Sequence, residues 1–353
     1  MSEMPDIALV SLGTTPGLCR ADQTFAEMAH EAGLSCEVVT VGVGKSGSLR
    51  RQSTITDVVE ARAARNAASG VKARVIVYST VTAALMQRPS GPYAVRFDSL
   101  AAQNRPGAAG AWSRRKEAKI LARAKLLLPW GNAALKMIPG EARNVPAIAL
   151  HVPIEGGPSA DQSASIAGTA ERDIDALAYA GYPEKRGLDV LIQAWQTSGL
   201  NGRRRLRVTG IDRNRAVEWL KKRKIEEPTG IEWSGLLEPG QFRYTLSRTR
   251  VLVNASRRED HGLSQLEALA AGAALVTVAS DGPYEALPLA TKLGVGLVAP
   301  SVTAQSLAFA LRAGFQVDLD DYAAKAADLL RPYRRDAVQQ VFNEQVVPAL
   351  GLR

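Results

Sequence analysis

Apolar runs and amphipathic stretches alternate along almost the whole chain. IALVSL (7–12), CEVVTVGV (36–43), RVIVYS (74–79), YAVRF (93–97), KLLLP (125–129) and AIALHV (147–152) are nearly continuous in apolar character. Such runs predict parallel strands covered on both faces, whereas a half-exposed strand would alternate. The stretches near 22–33, 56–69 and 113–124 have helical spacing. Residues 156–171, GGPSADQSASIAGTAE, are small and polar and break the rhythm as a linker would. A second series follows, with strands at DALAYAG (175–181), LRVTGI (206–211), GIEWSG (230–235), VLVNAS (251–256), ALVTVAS (274–280) and VGLVAP (295–300). Helical stretches at 187–197, 214–224, 239–249 and near 283–292 separate them, and helices run on to the end. Two successive β/α series imply two doubly wound parallel-sheet domains that bind ligands at the carboxyl ends of their strands. The expected boundaries are 1–155 and 172–335, with 156–171 as linker and 336–353 as a terminal helix placed to cross back to the first domain. No fixed-period repeat is visible.

The length of 353 residues suits two such domains, and 46% apolar with 22% charged residues describes a globular chain. Two cysteines, Cys19 and Cys36, argue against a disulfide scaffold and for a reducing compartment. MSEMPDIALVSLG reads as the approach to a first buried strand, not a signal peptide. No apolar run is long enough to span a bilayer. A cytoplasmic protein is expected. The formal net charge of +9 adds a question of partners. Basic residues cluster at Arg50-Arg51, Arg114 to Lys125, Arg203 to Arg207, Lys221 to Lys224 and Arg331 to Arg335. Aromatic residues make up only 5% and do not interleave with these clusters, which disfavours single-stranded nucleic acid. Anionic small molecules and an anionic membrane surface remain.

The chemistry concentrates in RREDHGLSQLEALAAG (257–272), which lies between two strands. Glu259 precedes a glycine turn, and Glu267 sits about one helical turn behind it. Free amides at a helix start favour an anion such as phosphate. Acceptor-only carboxylates nearby suit sugar or ribose hydroxyls. A ligand with a phosphate core and polyol ends fits both.

In this context the motif resembles that of retaining glycosyltransferase family 4 (group 1), whose pattern is E-x-F-G-L-x-x-L-E-A-x-A-x-G. The chain is similar at Glu259, Gly262, Leu263, Leu266, Glu267, Ala268, Ala270 and Gly272. YAGYPEKRGLDVLIQAW (179–195), GIEWSGLLEPGQF (230–242) and DGPYEAL (281–287) resemble further segments of that family. The resemblance covers about a third of the chain closely. It implies a GT-B fold, in which two Rossmann-like domains face a cleft. It also implies a transferase that takes a nucleotide-diphospho-sugar as substrate, without cofactor or metal, and retains anomeric configuration. Glu267 would then hold the donor ribose and Glu259 the donor sugar. Amides around Gly262, Leu263 and Ser264 would meet the diphosphate or sugar. Lys185 and Arg186 would neutralise the leaving diphosphate, and Trp233 falls in the segment near the base. The family's arginine after the first glycine of its basic segment is absent here, because Tyr182 follows Gly181. Which of Lys185 and Arg186 takes which phosphate is therefore left open.

The amino-terminal half matches in rhythm alone. The resemblance implies that Gly13 and Thr14 in SLGTTPG (11–17) would offer donors to the diphosphate and that Asp98, directly after YAVRF, would orient an acceptor hydroxyl. The His that precedes this Asp in many relatives is Phe97. The acceptor is a glycan, a lipid-linked compound or a small molecule. The 111–128 stretch, rich in Arg and Lys at helical spacing, would bring a lipid-linked acceptor's membrane close. VGVGKSGS (41–48) is no P-loop, since its first glycine would be Val39. Asp173 and Asp175 precede a strand instead of ending one. The alternatives are an epimerase or phosphorylase on the same fold, or a non-enzymatic basic binding protein.

Overall fold

The computed structural model describes residues 4–42, 53–154 and 172–353. The expected linker at 156–171, the Arg50-Arg51 pair and most of the 41–48 glycine stretch lie outside the described residues. The chain divides into two compact units, Met1–Pro153 with Arg335–Arg353, and Ile154–Arg334. The terminal segment thus belongs to the first unit.

The first unit is built on a parallel sheet in the order β2-β1-β3-β4-β5, with β1 Ile7–Ser11, β2 Cys36–Thr40, β3 Val75–Tyr78, β4 Tyr93–Phe97 and β5 Leu126–Pro129. Its apolar strands serve two cores at once. Ile7, Leu9, Val75, Val77, Leu126 and Leu128 pack on one face with Phe25 and Phe342. Val10, Tyr78, Val95, Phe97 and Leu127 pack on the other. Alternate residues of a strand point to opposite faces, so a continuous apolar run is what a two-faced sheet requires. The terminal segment closes the first of these cores. Phe342 meets Phe25 edge-on at 5.4 Å between ring centroids, and Lys125 Nζ donates to the Leu350 carbonyl at 2.9 Å.

The expected strand at 147–152 is corrected by the structure. This segment runs beside β5, with Leu127 N–H donating to Pro146 O, Ile148 N–H to Leu127 O and Leu150 N–H to Pro129 O. Only an isolated parallel bridge, Leu127 to Ala147, forms. Pro129 has no N–H to donate back to it, and a ladder that loses a donor at that register stops. The first helix also starts earlier than its periodicity suggests, at Pro16–Glu31. Thr15 caps it and proline occupies its first turn, where the missing N–H is not needed.

The second unit carries a parallel sheet in the order β11-β10-β9-β6-β7-β8, with β6 Ile174–Tyr179, β7 Leu206–Thr209, β8 Ile231–Gly235, β9 Thr249–Asn254, β10 Ala274–Val278 and β11 Val298–Ala299. Counted from its own first strand, the order is 3-2-1-4-5-6 in mirror, the dinucleotide-binding arrangement. Helices Leu188–Thr197 and Ala304–Gly314 pack together on one face, with Leu191, Trp195, Leu307 and Leu311 buried in one continuous core.

Candidate active site

In an open α/β sheet a crevice forms where the connections from two adjacent strands leave in opposite directions. In the second unit those strands are β6 and β9. The loop after β6 leads to helix Leu188–Thr197, and the loop after β9 leads to helix Leu263–Ala270. Lys185 and Arg186 lie on the first loop, and Glu259, Asp260 and Gly262 on the second. The two loops are stitched together. Arg257 N–H donates to Lys185 O at 2.9 Å, and the Arg257 guanidinium grips Asp189 at 2.9 and 2.6 Å. Gly187 turns at φ +61°, and a Cβ there would overlap the Ala255 carbonyl, so the loops approach at backbone distance.

The stitching sets up two charge pairs. Arg186 Nη1 donates to Glu259 Oε2 and, at 3.3 Å, to Ser256 Oγ, while its guanidinium lies 5.3 Å from the Tyr179 ring centroid. Glu259 Oε2 also accepts from Ser256 Oγ at 3.2 Å and Gln265 Nε2 at 3.0 Å. Glu259 is 4% exposed, so its position is fixed by this network rather than by solvent. Arg186 Nε is buried and has no hydrogen-bond partner among the described residues. The second pair is Lys185 Nζ with Asp260 Oδ2 at 2.5 Å, with Arg258 Nε 3.5 Å from the other carboxylate oxygen. Burial would raise the Asp260 carboxyl, but Lys185 and Arg258 outweigh it and hold that group below its usual range.

Behind these pairs, Gly262 stands at φ +87° immediately before helix Leu263–Ala270, and its carbonyl accepts from Gln265 and Leu266. The amides of Leu263 and Ser264 therefore belong to the first turn, ahead of the helix's own ladder, and no side chain caps them. Glu267 is 9% exposed on the same helix. Beneath the turn, Asn254 Nδ2 donates to Thr277 Oγ1 at 3.1 Å and Tyr284 OH at 3.3 Å, and Asn254 Oδ1 accepts from Ser256 Oγ at 2.7 Å. Burial, with the nearby Glu259 charge, pushes the Tyr284 hydroxyl well above its ordinary value, so it stays a neutral donor.

Glu259, Lys185, Arg186, Gly262, Leu263, Ser264 and Glu267 thus fall on the two loops and the helix of one crevice. Trp233 stands apart on the edge strand β8, its indole N–H given to Glu227 at 2.6 Å. In the first unit the equivalent crevice lies between β1 and β3. Gly13 and Thr14 lie on the loop after β1, with Cys19 Sγ donating to Gly13 O at 3.2 Å. Asp98 follows β4, the neighbour of β3, and accepts from Ser99 Oγ at 3.4 Å. A buried pair underlies this loop. Asp22 accepts from Ser11 Oγ at 2.5 Å and from Arg96 Nη1 at 2.8 Å. Burial lowers the Arg96 guanidinium while Asp22 opposes that shift.

At the opposite end of the second sheet lies a cavity of about 540 Å³ lined by Asp173, Asp175, Arg203, Arg204, Arg205, Arg207 and Glu232, among others. Arg204 pairs with Asp175 at 2.8 Å, and Arg205 and Arg207 pair with Glu232 at 3.0 Å each. Asp173 is held by Arg248. The acidic residues ahead of β6 are thus spent on arginines. Among the described residues no group of three or more His, Cys, Asp or Glu is placed to hold a metal. Also among them, no helix is long and apolar enough to cross a membrane.

Residues 174–316 match the family model described as glycosyl transferases group 1. The match lies within the second unit and contains both loops, and it marks that unit as a glycosyltransferase domain. No curated protein matches the chain in sequence. Solved structures share its fold along nearly the whole length. A sucrose-phosphate synthase from Thermosynechococcus elongatus superposes with a TM-score of 0.73 at 15% identity, over 99% of this chain and 100% of that one. WaaG, a glycosyltransferase involved in lipopolysaccharide biosynthesis, gives 0.67 at 15% identity over 96% and 100%. Anabaena HepE, solved in complex with UDP and glucose, gives 0.62 at 14% identity over 99% and 100%. The fold is GT-B, with two parallel-sheet α/β units.

Proposed function

We propose that this glycosyltransferase moves a sugar from a nucleotide-diphospho-sugar to an acceptor hydroxyl, with retention and without a metal. The observation that carries the reading is the gathering of Lys185, Arg186, Glu259 and the uncapped Gly262 turn at one switch point of a dinucleotide-binding sheet. The diphosphate lies against the Leu263 and Ser264 amides, with Lys185 and Arg186 supplying the positive charge that a divalent ion would otherwise bring. The partnerless buried Arg186 Nε speaks for an anion there. Glu267, deeper on the same helix, takes the ribose hydroxyls. Glu259 is kept oriented by Arg186, Ser256 and Gln265 and accepts from the donor sugar.

Glu259 Oε2 already accepts from the Arg186 guanidinium and from Gln265 Nε2, and a carboxylate neutralised by a guanidinium is a weak nucleophile. This supports a same-face displacement. The bond to the diphosphate breaks as the acceptor oxygen bonds to the anomeric carbon, and the acceptor proton passes to a departing phosphate oxygen. The complex of Anabaena HepE with UDP and glucose is compatible with this reading. Thermal unfolding against a panel of nucleotide-sugars tests it, since a ligand of the native state raises its stability. One base and sugar should stabilise the protein selectively, and indifference to the whole panel would count against a donor site.

The acceptor side has a further observation. Helix Ala111–Leu121 buries Ser113, Glu117, Ala118, Ile120 and Leu121 and exposes Trp112, Arg115, Lys116 and Lys119 on the other side. An exposed basic face with a tryptophan at its end supports work at an anionic membrane, on a lipid-linked acceptor. Co-sedimentation that rises with anionic lipid and falls with salt is the expected result. Equal behaviour with neutral and anionic vesicles would leave a soluble glycan or small-molecule acceptor.

A further inference from the structure

Every cation of the crevice is already paired with a carboxylate. Arg186 holds Glu259, Arg257 holds Asp189, and Lys185 holds Asp260. Two of these pairs have an evident use. Arg257–Asp189 joins the loops, and Glu259 is itself a donor contact. Asp260 has neither role. Among the described residues it is the carboxylate paired with Lys185, the lysine that a diphosphate also needs.

Its placement is specific. Asp260 lies one residue beyond Glu259 and two before Gly262, on the loop that leads into the turn, and its carboxylate meets Lys185 Nζ at 2.5 Å and Arg258 Nε at 3.5 Å. The Lys185–Asp260 pair is only partly covered, with side-chain exposures of 38% and 20%, and is open to exchange with a ligand. An ammonium on a flexible stem can leave one oxyanion for another without moving the backbone. A diphosphate carries more charge than a carboxylate and prevails in that exchange.

We propose that Asp260 is an internal competitor of the diphosphate for Lys185, displaced when the donor enters and recapturing the lysine as the nucleoside diphosphate leaves. The proposal rests on the donor-site reading above. It gives Asp260 a function in product release, because the lysine freed by the departing diphosphate is not left unpaired. No residue touching the sugar is involved, so the effect is on affinity and release.

The test is calorimetric titration of the full chain with inorganic pyrophosphate, and separately with UDP, GDP and ADP. Asp260→Asn should tighten pyrophosphate binding about fivefold, the size of a partly exposed ion pair. The best nucleoside diphosphate should dissociate correspondingly more slowly. Adding Lys185→Ala to the same variant should abolish the gain, and Asp260→Ser should reproduce it, which separates charge removal from a local packing change. A folded Asp260→Asn protein with equal or weaker pyrophosphate affinity overturns the proposal. If the nucleoside diphosphates bind wild type through Lys185 while Asp260→Asn changes nothing, the competitor role falls and the donor site stands. If pyrophosphate tightens but no nucleoside diphosphate binds better than pyrophosphate, the competition stands and the nucleotide reading falls.

Discussion

Replacing Gly262 by alanine attacks the turn on which the anion site depends, and the structure sets the size of the effect. Gly262 adopts φ +87°, where an L-residue is strained by about 1–2 kcal/mol. The new Cβ would stand 2.6 Å from Tyr284 Cε2 and 2.9 Å from Cδ2. Tyr284 is fully buried, and its hydroxyl is 2.9 Å from Thr277 Oγ1 and 3.3 Å from Asn254 Nδ2, so the ring cannot swing aside without breaking that network. Overpacking of this kind costs about 1–3 kcal/mol. Together Gly262→Ala should destabilise the second unit by about 2–5 kcal/mol, a fall of about 5–15 °C in its melting temperature. Because the same displacement moves the Leu263 and Ser264 amides, affinity for a nucleoside diphosphate should fall even at temperatures where the variant is fully folded. Calorimetric melting and titration of the folded variant measure the two effects separately. A melting temperature within about 2 °C of wild type, with unchanged affinity, would refute the reasoning about the turn.

Three further expectations are open to direct measurement. Glu267→Ala should weaken donor binding about 10- to 100-fold, the loss of hydrogen bonds to a charged acceptor, and leave the melt nearly unchanged; unaltered affinity would remove it from the ribose site. Glu117, buried and accepting from Ala101 N–H at 2.8 Å, is pushed up to about 7 by burial, opposed by that hydrogen bond and aided by the Asp57 charge. A carboxyl raised on folding contributes stability that is full below its unfolded value and is lost as pH rises toward 7, about 3 kcal/mol at most. Glu117→Gln should therefore flatten the wild-type decline in stability between about pH 4.5 and 7, and parallel pH curves would contradict the assignment. Transferase activity should survive excess chelator, whereas loss restored by a divalent ion would contradict the charge-neutralising roles of Lys185 and Arg186.

The parts of the fold carried by local pattern were legible in the sequence. Near-continuous apolar runs such as IALVS and LLLP mark their strands with no tertiary information, whereas the helix start at Thr15-Pro16 was missed because its first turn lacks the apolar spacing of the turns that follow. The 147–152 segment misled because its apolar pattern is that of a strand while the partner strand ends in Pro129, a fact about its neighbour. The same division holds at the site. Glu259, Gly262 and Glu267 lie within one motif, and Lys185-Arg186 stand next to a strand. The partners that fix them do not. Arg257 and Asp189 are 68 residues apart, and Asn254, Thr277 and Tyr284 meet only once β9 and β10 pair. Ser256, Gln265 and Asp260 were inside or beside the motif but had no signal of their own, since hydroxyl, amide and carboxylate side chains are common on loops and helix starts.

The central claim is that Lys185 and Arg186 receive the diphosphate of a nucleotide-sugar at the β6/β9 switch point. Titration of the stabilising nucleotide-sugar into wild type and into the Lys185→Ala, Arg186→Ala double variant, both checked for native melting, tests it most directly. The account predicts measurable binding by wild type and a loss of at least about 100-fold in the double variant, the scale of two charge-assisted contacts. Equal affinity in the two proteins would contradict it.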